Sequence, residues 1–214
     1  MLAAEIILSQ HDHAPSDVVL DPSALAEQIR YSLFMHHSCG VALLAIGVLM
    51  LIDRATGRRY RGIRIGMGAL WIGLGIHIVM NADPTHWPFG AGFVESFSKP
   101  AADEWVQHKL LSLIPMGLGL FLMAVPYRKP KWFQSFLLAC VMGLGGLGLI
   151  IHMHEHQPGM EWIERQHQVM AVFSFVAATG AQLDGLDRVT WKLKAYVLPI
   201  GVAMLGLFLA VYTE

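Results

Sequence analysis

The sequence predicts an all-α integral membrane protein, a bundle of six transmembrane helices with both termini on the periplasmic side. Three observations predict it. Of the 214 residues, 55% are hydrophobic and 14% charged, with a mean hydropathy of +0.49, which is too apolar for an ordinary soluble domain. Apolar runs of about 18 to 21 residues recur along the chain, each long enough to cross ~30 Å of hydrocarbon as a helix. Most basic residues fall in three short segments that alternate with those runs.

The runs lie near 33–52, 64–81, 108–126, 133–153, 166–183 and 195–212. Residues 1–32 then form a periplasmic N-terminal segment, and 33–214 a six-helix membrane domain with a long periplasmic loop at 82–107. The opening stretch lacks a basic region followed by a long apolar one, so the first helix is expected to act as its own insertion signal. Glycine runs such as Gly66–Gly75 and Gly143–Leu149 would weaken a soluble helix; between membrane helices they permit close packing. Cys39 and Cys140 both sit in apolar runs without CxxC spacing, which argues against a disulfide framework or zinc ribbon.

Orientation follows from the basic residues. The segments 53–64, 127–131 and 187–194 hold eleven of the fifteen Lys and Arg and fall on one side of a six-helix arrangement, which the positive-inside rule makes cytoplasmic. The near-neutral net charge of -1 offers nothing to nucleic acid; the partner implied is the lipid bilayer of a bacterial inner (cytoplasmic) membrane. The opposite face carries thirteen of the sixteen acidic residues and all eleven histidines. The loop at 82–107 is too long for a simple connector, and its Trp87, Phe89, Phe93, Phe97 and Trp105 suit an interfacial lid with aromatic anchors.

Histidine is the mildest ionisable group to place in a membrane segment, because it can stay neutral, and facing helices can build a ligand site from several of them. Seven are candidate metal ligands: His36, His37, His77, His108, His152, His154 and His167. His11, His13, His86 and His156 are weaker candidates. His36 and His37 are adjacent and thus ~100° apart around a helix, so one points into the bundle unless the site is wide or dinuclear. His152 and His156 share a face if their helix continues, whereas His152 and His154 both reach inward if it unwinds before Pro158.

Imidazole suits copper, zinc and haem iron, and thioethers favour Cu(I). Met35, Met80, Met153, Met160 and Met170 lie near the histidines, and Asp83, Asp103, Glu104, Glu155 and Glu164 are available as further ligands or as partners for the second ring nitrogen. The mixture leans toward copper. The alternative is b-type haem, with His37 opposite His108 or His77 opposite His167; no CxxCH signal for c-type haem is present. The chain contains no GxSxG elbow, P-loop or HExxH motif, so no enzymatic reaction is indicated.

With these residues gathered, the chain resembles the membrane domain of the bacterial copper-resistance protein CopD family. The resemblance rests on "DPTHWPFGAGFVESF" (83–97), "QHKLL" (107–111), "HMH" (152–154) closing a glycine-rich helix, a lone His167 opening the next, and Pro199 with the terminal "YTE". It implies copper handling at the periplasmic face through His37, His108, His152, His154 and His167. It is also compatible with a periplasmic copper-binding partner and with uptake across the inner membrane. A through-membrane path would need deeper soft ligands; only Cys140, Met142, Met50, Met67 and Met116 are placed for that, and core packing explains them equally well. The expected function is copper binding in acquisition, tolerance or delivery. The competing expectations are a haem electron-transfer subunit and an accessory structural subunit of a larger membrane complex.

Overall fold

A computed structural model describes residues 22–81, 87–90, 92–96, 104–124, 131–151 and 161–214. Six long helices carry the architecture: α1 (Pro22–Ala55), α2 (Arg61–Asn81), α3 (Glu104–Ala124), α4 (Lys131–Ile151), α5 (Glu161–Gly185) and α6 (Lys194–Ala210), with one further helical turn at Phe93–Ser96 between α2 and α3. No strand occurs among the described residues. Three stretches, Ile29–Ala55, Arg61–Asn81 and Trp132–Ile151, are long and apolar enough to cross a membrane. The chain is therefore an all-helical protein with helices suited to a bilayer.

Each helix packs against its neighbour in sequence, and α6 closes back onto α1. The most intimate pairs are α1 with α6, α4 with α5, and α2 with α3. In the first and the last of these, glycine lets backbone meet backbone, whereas between α4 and α5 Gly146 faces the side chains of Phe175 and Ser174. A Cβ built on Gly40 would stand 2.3 Å from the Ala210 nitrogen, one on Gly47 2.6 Å from the Ala203 nitrogen, and one on Gly206 2.3 Å from the Leu44 nitrogen. Those pairings run in opposite senses along the chain, so α1 and α6 are antiparallel. Gly68 and Gly119 make the equivalent contact between α2 and α3, and Gly180 approaches Leu198 between α5 and α6. Between helices in a bilayer, close approach and dispersion supply the packing energy that the hydrophobic effect supplies in water. Ile46, Met170, Ala177 and Val202 fill the centre with no measurable exposure.

α1 begins eleven residues before the sequence-based boundary at 33. Pro22 heads it, and proline at a first helical position loses no hydrogen bond while its fixed φ suits the helix. Residues 22–32, expected in a separate periplasmic segment, thus extend the first helix; residues 1–21 lie outside the described residues. At its other end α1 stops by a Schellman arrangement, with Arg58 N–H on the Asp53 carbonyl at 2.8 Å and Gly57 N–H on the Arg54 carbonyl at 3.0 Å. Gly57 takes the left-handed conformation that such a cap demands, φ 66°.

The basic end is tied by one buried carboxylate. Asp184, near the end of α5, accepts from Arg54 at 2.5 Å and Arg58 at 3.2 Å. Replacing Arg54 and Arg58 would take these two partners from a buried carboxylate, a loss that costs a few kcal/mol in buried pairs.

The glycine contacts generate a test. Gly206→Ala and Gly47→Ala introduce a Cβ into backbone and are expected to destabilise the protein by about 1–3 kcal/mol. Gly73→Ala and Gly143→Ala, where a Cβ meets nothing within 4 Å, are expected to leave thermal unfolding in detergent unchanged or slightly raised.

Candidate metal centre at the histidine-bearing end

α1 and α5 both start at one end of the bundle, where α6 finishes. There His36 of α1, His167 of α5 and Tyr212, just beyond α6, form a group of three rings. His36 stacks on Tyr212 with centroids 4.0 Å apart and an interplanar angle of 19°. His167 meets both edge-on, at 5.8 Å from His36 and 5.9 Å from Tyr212. Tyr212 and His167 are buried.

The hydrogen-bond partners dictate the tautomers. A backbone carbonyl can only accept, so the ring nitrogen facing it carries the proton. His36 Nδ1–H donates to the Ser32 carbonyl at 2.9 Å, and His167 Nδ1–H donates to the Ile163 carbonyl at 2.9 Å. In the neutral imidazoles the lone pair is then on Nε2 in both. This is the arrangement in which a second nitrogen, held by a carbonyl, orients a metal-ligating ring. His37 is the other way round: Nε2–H donates to the Tyr212 carbonyl at 2.8 Å, leaving its lone pair on Nδ1. Both adjacent histidines therefore serve the same residue, one through the Tyr212 ring and one through its carbonyl.

His77 belongs to a different cluster. The Asn81 amide group donates to His77 Nδ1 at 3.1 Å and to the His77 carbonyl at 3.0 Å, which fixes the amide orientation and makes Nδ1 an acceptor. Nε2–H must then point at Ser38 Oγ, 2.7 Å away, while the Ser38 hydroxyl donates to the Phe34 carbonyl at 2.7 Å. Both nitrogens of His77 are taken, and as folded it offers no lone pair to a metal. The reason it does not join His36 is helical phase. Phe34 and Ser38, which face His77, each lie two residues from His36, about 200° around α1.

His108 is half-buried at the start of α3, next to Lys109. The Lys109 ammonium is buried and donates to the carbonyls of Val79, at 3.0 Å, and Trp87. It thereby pins the loop after α2 to the bundle, and Trp87 N–H is held by Ser96 Oγ at 2.9 Å. Of the expected aromatic anchors, Phe89 and Phe93 are exposed and Trp87 packs edge-on to Phe93 at 5.4 Å. Phe97 and the side chain of Trp105 lie outside the described residues, as do His152 and His154 and the weaker candidates His11, His13, His86 and His156. Among the described residues no three His, Cys, Asp or Glu side chains converge as a group that could hold a metal ion. Convergence is limited to the His36–His167 pair with His37 behind it.

Sequence reasoning passed over the residues that frame this pair. Gln166 clasps Thr213, its amide N–H donating to the Thr213 carbonyl at 2.6 Å and its oxygen accepting from Thr213 N–H at 3.2 Å. Trp162 Nε1–H reaches Thr213 Oγ1 at 3.3 Å, and Ser32 Oγ donates to the Glu214 carboxylate. Residues 212–214 are thus strapped between α1 and α5. The available signal was the polar triplet after an apolar helix, which cannot reveal its partners.

No family model matches the sequence, and no curated protein or solved structure matches it. The class defined by the fold is that of a helical protein with three membrane-length apolar helices among the described residues.

Burial, and then the negative charge of Glu214, push the Tyr212 phenol well above its ordinary range, about 10 for a free tyrosine. The unfolded chain loses that proton first, so the folded state binds more protons at alkaline pH and stability falls as pH rises above about 10. Tyr212→Phe is expected to flatten that alkaline fall in unfolding temperature relative to the parent.

Proposed function

We propose that this protein spans the bacterial inner membrane with all six long helices and binds copper at its periplasmic, histidine-bearing end. α3 and α5 have 21 and 25 residues, about 31 Å and 37 Å at ~1.5 Å per residue, enough for the hydrocarbon core. The single observation that carries the copper reading is the tautomer pair: two imidazoles from different helices, each with Nδ1–H held by a carbonyl, each with its lone pair on Nε2. Two neutral imidazoles suit Cu(I), which accepts two-coordinate binding, better than zinc, which takes four ligands in structural sites and three protein ligands in catalytic ones.

His36 and His167 are the ligands in this reading. His37 and Gln166 hold the strap that carries Tyr212 against them. His152 and His154 remain in the proposed set on the sequence argument alone, and the CopD resemblance, resting on its quoted residues, points the same way. The one-sided placement suits capture, tolerance or delivery to a periplasmic copper-binding partner rather than conduction through the bundle. Haem is less well supported, because Tyr212 packs against both rings where a macrocycle would need a slot.

Metal analysis and a visible spectrum of protein purified without a metal-binding tag test the proposal. Copper at about one per chain or more is expected, lost in the His36→Ala/His167→Ala double variant and kept in His77→Ala. Iron with a Soret band, or copper retained by the double variant, would overturn it.

A further inference from the structure

The end of the bundle opposite the histidines is unused by the proposed function and is built differently. The turn between α1 and α2 joins two membrane-length helices, so if they cross a bilayer that turn lies at its surface. Asp184 accepts from both Arg54 and Arg58, which draws the loop after α5 against the same turn. That loop folds back on itself, with Val189 N–H on the Leu186 carbonyl at 3.2 Å and Lys194 N–H on the Trp191 carbonyl at 3.3 Å. The start of α4 joins them, since a Cβ on Gly185 would stand 2.7 Å from Ser135 Cβ.

Across residues 53–61 and 184–194 there are seven basic side chains and three acidic ones. Asp184 is committed to Arg54 and Arg58, and Asp53 is buried. Arg59, Arg61, Arg188 and Lys192 are exposed, and among them Asp187 is the only exposed acid. Tyr60, Trp132 and Trp191 are each more than half exposed at this level. Amphipathic rings of that kind settle where headgroups meet acyl chains.

We infer that this end holds the phosphate headgroup of an anionic phospholipid, gripped by Arg59 of the turn after α1 and Arg61 at the start of α2, and by Arg188 and Lys192 of the loop after α5, with Tyr60 and Trp191 against its glycerol and upper acyl region. Guanidinium groups fit phosphate oxygens two at a time, and the local surplus of positive charge has no protein counterpart among the described residues. Anionic leaflets attract such clusters, with the attraction falling off over the Debye length. A zwitterionic lipid carries its own cation and gains little. The carboxylate-anchored arginines fix the two loops in place, so the lipid meets a preformed site.

The inference is tested on the full chain in neutral detergent, by lipid retention in native mass spectrometry and by thermal unfolding with added phosphatidylglycerol or phosphatidylcholine. Phosphatidylglycerol is expected to bind about tenfold or more tightly, with the preference shrinking as salt rises. The combined Arg59→Gln, Arg61→Gln, Arg188→Gln and Lys192→Gln variant is expected to bind both lipids alike, and the charge-preserving Arg59→Lys, Arg61→Lys, Arg188→Lys and Lys192→Arg variant to keep the preference. Equal binding of the two lipids by the parent, or an undiminished preference in the glutamine variant, overturns the site. Competition by inorganic phosphate at the lipid's concentration would assign it to a free anion instead.

Discussion

Everything at the histidine-bearing end depends on how closely α1 and α6 approach. Gly40, Gly47 and Gly206 let the two backbones touch, which carries the residues after α6 directly over the first turns of α1. Tyr212 then lies against His36, its carbonyl meets His37, and Glu214 meets Ser32. A pair of helices held apart by ordinary side chains would be separated by 8–10 Å between axes, and none of these short contacts would form. The same closure converts a chain of sequential antiparallel helices into a ring, with α5 meeting α1 only at its two ends among the described contacts, through His167 with His36 and Asp184 with Arg54 and Arg58.

The two ends of the bundle solve opposite problems. At the histidine end, polar groups are satisfied by short hydrogen bonds: the Nδ1–H groups of His36 and His167 are capped by carbonyls of their own helices, and Gln166 satisfies both backbone groups of Thr213. At the basic end, charge is retained and one carboxylate organises it. Neutral imidazoles with an oriented lone pair are suited to a soft cation, whereas exposed guanidinium groups are suited to an anion. The two chemistries coexist because apolar helices of membrane length separate them.

Much of the architecture was legible because bilayer physics simplifies the code. Apolar run length and the alternation of basic segments located all six long helices, with α2 through α6 ending within a few residues of expectation. α1 extends eleven residues ahead of its apolar run, since Pro22 opens a helix whose polar first turns carry no hydropathy signal. The histidines were legible as candidates but their grouping was not. His36 and His77 have the same chemistry, yet Phe34 and Ser38, the α1 residues that meet His77, lie about 200° around α1 from His36, and hydrogen bonding at both nitrogens withdraws His77. The Ser38 hydroxyl and Asn81 amide that do this are ordinary polar residues in the string.

Local composition dictates that the chain is helical, that it carries apolar segments of bilayer length, that eleven of its fifteen Lys and Arg fall in the three segments 53–64, 127–131 and 187–194, and that small residues line the helices. Those properties are local: they depend on composition over one helix length. Tertiary structure alone decided which glycines touch, which imidazole nitrogen holds the proton, and that Tyr212 and Gln166 frame the His36–His167 pair. Those depend on helix rotation and on contacts between residues more than a hundred positions apart, where a shift of one residue turns a side chain by about 100° and exchanges one set of partners for another.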